Sequence, residues 1–222
     1  VSSRDSENAE VTIRESRISY EKDTLVEARV ASDPLAQFRS WLGEALETPG
    51  VVEPNAMTVA SVGNDGRPSL RVVLLRGYDE RGFVFFTNYE SRKGRELDAH
   101  PGAALLFYWA AMERQIRIEG STARLEPNES DEYFMQRPRG HRLSAWASKQ
   151  SSIVPDRAFL EMEMAREEER FKGVEVGRPA YWGGYRITPA YYEFWQGRRN
   201  RVHDRIAYER TGSEWKRYRL SP

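Results

Sequence analysis

The chain has 222 residues, 39% of them hydrophobic, which is apolar material for one sizeable core and argues for one folded domain. Lysine plus arginine and aspartate plus glutamate both number 34, so the formal charge is zero; whole-molecule attraction to nucleic acid or anionic membrane has no basis, and any anion site must be local. With no cysteine and only His100, His141 and His203, far apart, disulfides, thiolate chemistry and cysteine- or histidine-rich metal sites drop out, leaving an organic cofactor as the expected source of chemistry.

Residues 1–32 are polar and charged and read as a mobile arm, ordered only by docking onto something else. They lack the apolar stretch of an export signal, and no run reaches the roughly 18 apolar residues of a membrane span, so a cytoplasmic protein is expected. Residues 33–222 form the folded domain. Asp33-Pro34 supplies an N-cap and a first-turn proline, and Leu35, Phe38, Trp41, Leu42 and Ala45 recur at helical spacing up to Pro49-Gly50. From Ala56 the pattern turns to strands: AMTVASV, SLRVVLLRGY and FVFFTNY, separated by turns at Asn64-Asp65-Gly66 and DERG. SRKGRELDAH predicts a short helix before Pro101, followed by strands in ALLFYWAA and RQIRIEGSTARL. Asn128 to Gln136 and Pro155 to Lys172 have helical patterns, and further strands are predicted near YRITP, EFWQG, RIAYER and WKRYRL. Many short strands with inserted helices, without strand–helix alternation and without GxGxxG or GxxxxGK[ST] loops, predict a mainly β, antiparallel barrel that binds any nucleotide-like cofactor through side chains.

Several segments could carry chemistry. Strand alternation through Arg201-Val202-His203-Asp204-Arg205 would put Arg201, His203 and Arg205 on one face, beside Phe194 and Trp195, although a solvated basic strand would look the same. Ser91-Arg92-Lys93-Gly94 opens a helix, where a phosphate would meet two cations, a hydroxyl and helix-terminal N–H groups; exposed basic residues at a helix end are the plainer reading. Arg71 and Arg76 bracket an apolar run, Gln115 sits in a strand between arginines, and Tyr133, Arg137, Arg139 and His141 form a basic group where a helix gives way to a loop. No paired carboxylates and no Ser/His/Asp order stand out, which weighs against a hydrolase.

In order, EPNAM, RVVLLR, FFTNYESRKG, ERQIRIEG, RPRG, AWASKQSS, WGGYRI and EFWQGRRNRVHDRI resemble the pyridoxine 5′-phosphate oxidase family from about Tyr20 to the C-terminal Leu-Ser-Pro. The resemblance implies an FMN-binding split β-barrel homodimer with two FMN sites at the subunit interface. It assigns Arg71, Val72, Val73, Leu74, Leu75, Arg76, Phe86 and Thr87 to strands lining FMN, and Arg92 and Lys93 to its phosphate. Gln115, Gln150, Ser151, Trp195 and Arg205 match the remaining FMN contacts, some reaching across the dimer. Arg76, Tyr133, Arg137 and His141 fall where the family holds the substrate phosphate, Arg201 and His203 where it holds the pyridine ring, and Arg17 and Tyr20 match a pair that closes over bound substrate.

Two positions depart from the family pattern. Arg76 stands where lysine is common and keeps the charge while offering a bidentate fork; His141 stands where serine is common and brings a larger group whose ordinary titration lies near neutrality. Phosphate affinity is therefore expected to weaken as pH rises. The implied reaction is oxidation of pyridoxine or pyridoxamine 5′-phosphate to pyridoxal 5′-phosphate, with hydride passing to flavin and oxygen returning hydrogen peroxide; Arg201 would cover the substrate ring and His203 would assist. Rival readings are a flavin oxidase of the phenazine-biosynthesis type on the same scaffold and a non-catalytic flavin- or pyridoxal-phosphate-binding protein.

Overall fold

Asp33 accepts a hydrogen bond from the Ala36 N–H and Pro34 occupies the first turn, so helix α1 (Pro34–Glu47) begins where its capping residue dictates. The computed structural model describes residues 18–222. In it α1 lays Leu35, Phe38, Trp41, Leu42 and Ala45 into the main core. Phe38 meets Phe83 and Phe107 edge-on at centroid separations of 4.8 and 5.2 Å, and burying a ring of that size stabilises by about 1.5–3 kcal/mol.

Among the described residues that core is wrapped by an antiparallel sheet of nine strands: β1 (Ala56–Val62), β2 (Pro68–Leu74), β3 (Gly77–Asp79), β4 (Gly82–Asn88), β5 (Gly102–Trp109), β6 (Arg114–Arg124), β7 (Trp182–Gln196), β8 (Asp204–Thr211) and β9 (Glu214–Arg219). The order is β2-β1-β5-β6-β7-β4-β3, with β8 and β9 continuing from β7. The sheet curls into a half-barrel, the split-barrel architecture expected. Helices α2 (Arg92–Ala99), α3 (Pro127–Gln136), α4 (Arg139–Ala147) and α5 (Arg157–Arg170) are inserted between strands, and a second cluster around Phe134, Leu143 and Trp182 packs the latter helices onto the sheet. Among the described residues no helix is long and apolar enough to cross a membrane.

Four features differ from the sequence expectations. YRITP and EFWQG belong to one strand, β7, whose first half pairs with β4 and whose second half pairs with β8. Pro189 interrupts the pattern without breaking the strand because the partner register shifts at Glu119/Gly120, and Gly120 leaves room for the Thr188 carbonyl. The alternation expected through Arg201, His203 and Arg205 does not run: residues 199–201 form a tight turn with Asn200 and Arg201 at φ 56 and 62°, and β8 starts only at Asp204. The expected loop after Arg137 is largely helix α4.

The arm expected over residues 1–32 is, from residue 18 onward, laid against the domain. Leu25 and Val30 are buried in the main core. Arg114 fastens this stretch: its guanidinium donates to Asp23 and Glu44, both at 2.6 Å, and lies 4.4 Å from the Trp41 ring centroid. The packed part of the chain therefore starts ahead of residue 33.

Candidate active site

Strand β2 lies at the edge of the sheet, and beside it opens a cleft of about 1200 Å³ floored by β2 and β4 and walled by the start of α2, by α3 and α4, and by the 148–151 loop. Of the residues assigned to cofactor or substrate by resemblance, Arg71, Val72, Val73, Leu74, Arg76, Phe86, Thr87, Arg92, Lys93, Tyr133, Arg137, His141, Gln150 and Ser151 all border it. Leu75 points into the main core instead.

One end of the cleft is built on the β4–α2 junction. Ser91 caps α2 by accepting from the Gly94 N–H, and Gly94 is required because a Cβ there would lie 2.1 Å from the Tyr89 carbonyl oxygen. This places Lys93 with its Nζ 2.9 Å from Gln150 Oε1 and 3.1 Å from Thr87 Oγ1. Burial, and then the neighbouring Arg71 charge, push the Lys93 ammonium down to about 8, with Glu96 opposing. Arg92 donates Nε to Glu96 at 2.7 Å, and its backbone N–H donates to Ser151 Oγ at 3.1 Å. Two cations, the hydroxyls of Thr87 and Ser151 and the side-chain amide of Gln150 thus converge on a partly desolvated spot, and the cations and hydroxyls are donors that fit a phosphate monoester.

At the other end, Phe86, Tyr133 and Trp182 stack nearly parallel, Phe86 and Tyr133 with centroids 3.9 Å apart. Arg137 covers Trp182, and its Nη1 is buried without a hydrogen-bond partner among the described residues. Burial, with the Arg76 charge adding to it, holds the Arg137 guanidinium below its ordinary pKa. Such an orphaned donor calls for an anion or water. His141, in the first turn of α4, is exposed beside it.

The remaining predicted residues form a second group that does not border this cleft. Gln115, Trp195 and Arg205 are direct cross-strand partners on β6, β7 and β8, so they share one face. Trp195 packs against His203 at 4.7 Å, and Tyr20 stands edge-on to both at 5.7 Å. His203 Nδ1 accepts the Arg198 N–H at 3.1 Å, which leaves the ring proton on Nε2. Burial and the Arg201 charge lower the His203 pKa and favour the neutral ring. Arg205 is tied to buried Glu193 at 2.8 Å. Arg17 lies outside the described residues.

Sequence reasoning passed over the carboxylates that hold these cations, Glu96 and Glu193, and the floor ring Trp182. The spacing Arg92 to Glu96 is an i,i+4 pair and was the available signal for the first. Nothing local marks the second, because its arginines come from other strands.

Comparison with known proteins identifies the family of the chain. A family profile described as "Pyridoxamine 5'-phosphate oxidase" matches residues 44–171, and one described as "Pyridoxine 5'-phosphate oxidase C-terminal dimerisation region" matches residues 182–222. A relative from Burkholderia lata, named Pyridoxine/pyridoxamine 5'-phosphate oxidase, is 55% identical over 214 residues, covering 95% of this chain and 99% of that protein. A protein of the same name from Thermosynechococcus vestitus is 53% identical over 210 residues, covering 95% and 99%. Among solved structures, PhzG from Burkholderia lata in complex with tetrahydrophenazine-1-carboxylic acid superposes with a TM-score of 0.82 at 35% identity, covering 90% of this chain and 98% of that one. An FMN-binding, pyridoxamine 5'-phosphate oxidase-related protein from Nostoc punctiforme shares the fold at a TM-score of 0.66 and 18% identity, covering 83% and 97%.

Proposed function

Because the chain belongs to the pyridoxamine 5′-phosphate oxidase family, we propose that it is an FMN-dependent oxidase converting pyridoxine 5′-phosphate and pyridoxamine 5′-phosphate to pyridoxal 5′-phosphate. The observation that carries this reading is a single cleft with a cationic group at each end: Arg92 and Lys93 by the β4–α2 junction, and Arg76, Arg137 and His141 by the aromatic stack. Two anion sites in one cleft suit a cofactor phosphate and a substrate phosphate held with their rings in between. When bound, FMN supplies a hydride acceptor that oxygen can reoxidise, giving hydrogen peroxide.

The chain's own groups bind and orient. Lys93, Arg92, Thr87, Gln150 and Ser151 hold the cofactor phosphate, and Arg71 and the Val72–Leu74 stretch of β2 lie along the flavin. Tyr133, Arg137, His141 and Arg76 hold the substrate phosphate. Arg201 and His203 orient the substrate ring, His203 as a neutral imidazole donating from Nε2. Gln115, Trp195 and Arg205 then come from a second copy of the chain. Three observations support that: they do not border this chain's own cleft, Trp195 and Arg205 lie in the segment matched by the dimerisation profile, and edge strand β2 leaves Leu70 and Val72 exposed beside the cleft.

The phenazine-type reading has a structural relative in its favour. Two proteins of Burkholderia lata weigh against it: this chain is 55% identical to the one named for pyridoxine phosphate oxidation and 35% identical to PhzG. The deciding experiment is anaerobic addition of pyridoxine 5′-phosphate to FMN-loaded protein. Bleaching of the flavin absorbance, with recovery and pyridoxal phosphate on admitting air, is expected; flavin that binds and never bleaches would move the assignment to the phenazine-type or binding-protein reading.

A further inference from the structure

Glu96 is nearly buried on α2, and every donor around its carboxylate comes from a residue at the cleft's cationic end or from the strands beneath it. Its Oε2 accepts from Ser61 Oγ at 2.6 Å, Ser69 Oγ at 2.5 Å and Arg71 Nη2 at 3.2 Å, and its Oε1 accepts from Arg92 Nε at 2.7 Å. Ser61 and Ser69 face each other across the β1–β2 pair. Each hydroxyl donates to Glu96 and accepts from Arg71, at 2.6 Å from Nη1 and 2.5 Å from Nη2. The second Nη1 hydrogen of Arg71 reaches the Val59 carbonyl at 3.2 Å. All four Nη hydrogens of Arg71 are thereby committed, whereas Arg92 gives Glu96 only its Nε and keeps both Nη groups for a ligand.

Resting on the flavin reading above, we propose that Glu96 is a positioning residue for the cofactor phosphate: with Ser61 and Ser69 it immobilises Arg71 and aims Arg92 before any ligand arrives. Without it, Arg71, Arg92 and Lys93 repel one another and Arg92 is a flexible surface side chain, so binding has to order it. Preordering of this kind is a recognised source of affinity. Burial works against the Glu96 charge, yet donors from the two serines and two arginines hold its carboxyl at about 2, so it stays ionised throughout the working range. Its charge also favours the protonated form of Lys93, which faces Arg71 from β2, Thr87 from β4, Gln150 from the loop, the capping Ser91 and, from its own helix, Glu96.

The test compares FMN with riboflavin, which lacks the phosphate, by quenching of flavin fluorescence on cofactor-free protein. Glu96→Gln is expected to weaken FMN binding at least tenfold more than riboflavin binding, and to move the loss of FMN affinity at alkaline pH to a lower pH. The double variant Ser61→Ala/Ser69→Ala keeps every charge and should reproduce the selective loss; it carries the test alone if Glu96→Gln does not fold. Equal weakening of both flavins, or FMN affinity unchanged or stronger, overturns the inference and leaves the flavin reading standing. Wild-type protein that takes up neither flavin overturns both.

Discussion

The Arg137 guanidinium lies 4.5 Å from the centroid of the Trp182 ring, and its Nη1 has no hydrogen-bond partner among the described residues. A buried, aimed and unsatisfied donor is a prepared contact for an anion. Arg137→Ala should therefore lower kcat/KM for pyridoxine 5′-phosphate by roughly tenfold to a hundredfold, the worth of a hydrogen bond to a charged group at about 1.5–3 kcal/mol. FMN affinity should be untouched. Steady-state kinetics with a parallel flavin titration checks both, and an FMN defect equal to the kinetic one would remove Arg137 from the substrate end.

Lys93 sets a pH dependence whose sign follows from its environment. Burial beside Arg71 brings its pKa to about 8, so above that pH the free protein carries a neutral amine and must take up a proton to hold a phosphate dianion. FMN affinity is expected to be flat below pH 8 and to fall above it, by up to about tenfold per pH unit. Lys93→Arg should flatten the profile, since a guanidinium stays charged. A wild-type profile that stays level to pH 9.5 would show that Lys93 does not meet the phosphate.

The division of predicted contacts between the cleft and the Gln115–Trp195–Arg205 face can be tested by complementation. A Lys93→Ala subunit has a damaged cleft, and an Arg205→Ala subunit has a damaged facing strand. If each site takes its cleft from one copy and its strand face from the other, each mixed dimer contains one intact site. Two inactive variants mixed under conditions of subunit exchange should then regain roughly a quarter of wild-type sites, as statistical pairing in a twofold dimer requires. No recovery, with exchange verified by mass spectrometry, would place both groups in the same subunit's site.

Gly94 tests how tightly the β4–α2 junction is packed. A methyl group there would sit 2.1 Å from the Tyr89 carbonyl oxygen, a backbone atom that cannot rotate away. Gly94→Ala should cost about 3 kcal/mol, the upper end for overpacking, although alanine is the better helix former. Denaturant unfolding measures this directly; a neutral or stabilising result would mean that the junction relaxes easily and does not hold Lys93 rigidly.

What the sequence determined by itself are features set by neighbours along the chain. Capping by Asp33 and Pro34, the apolar face of α1, the turns between β1 and β4, and the Ser91 cap with Lys93 in the first turn behind it all depend on side chains within a few residues of one another, and periodicity reports them. Arg92, Lys93 and Arg137 were legible as basic groups at helix ends, and a shared site for them with Tyr133 was implied only by resemblance. Only the tertiary structure decided that β7 runs unbroken through Pro189, that Arg201 and His203 lie ahead of β8 rather than along it, and that Glu96 and Glu193 are the counter-charges. The first and third depend on partners distant in sequence, the register of β6 opposite Pro189 and the serines and arginine on β1 and β2 that close around one carboxylate; the second depends on left-handed backbone at Asn200 and Arg201, which strand alternation does not report. A buried charge is tolerated only where such partners meet, and no local pattern records that meeting.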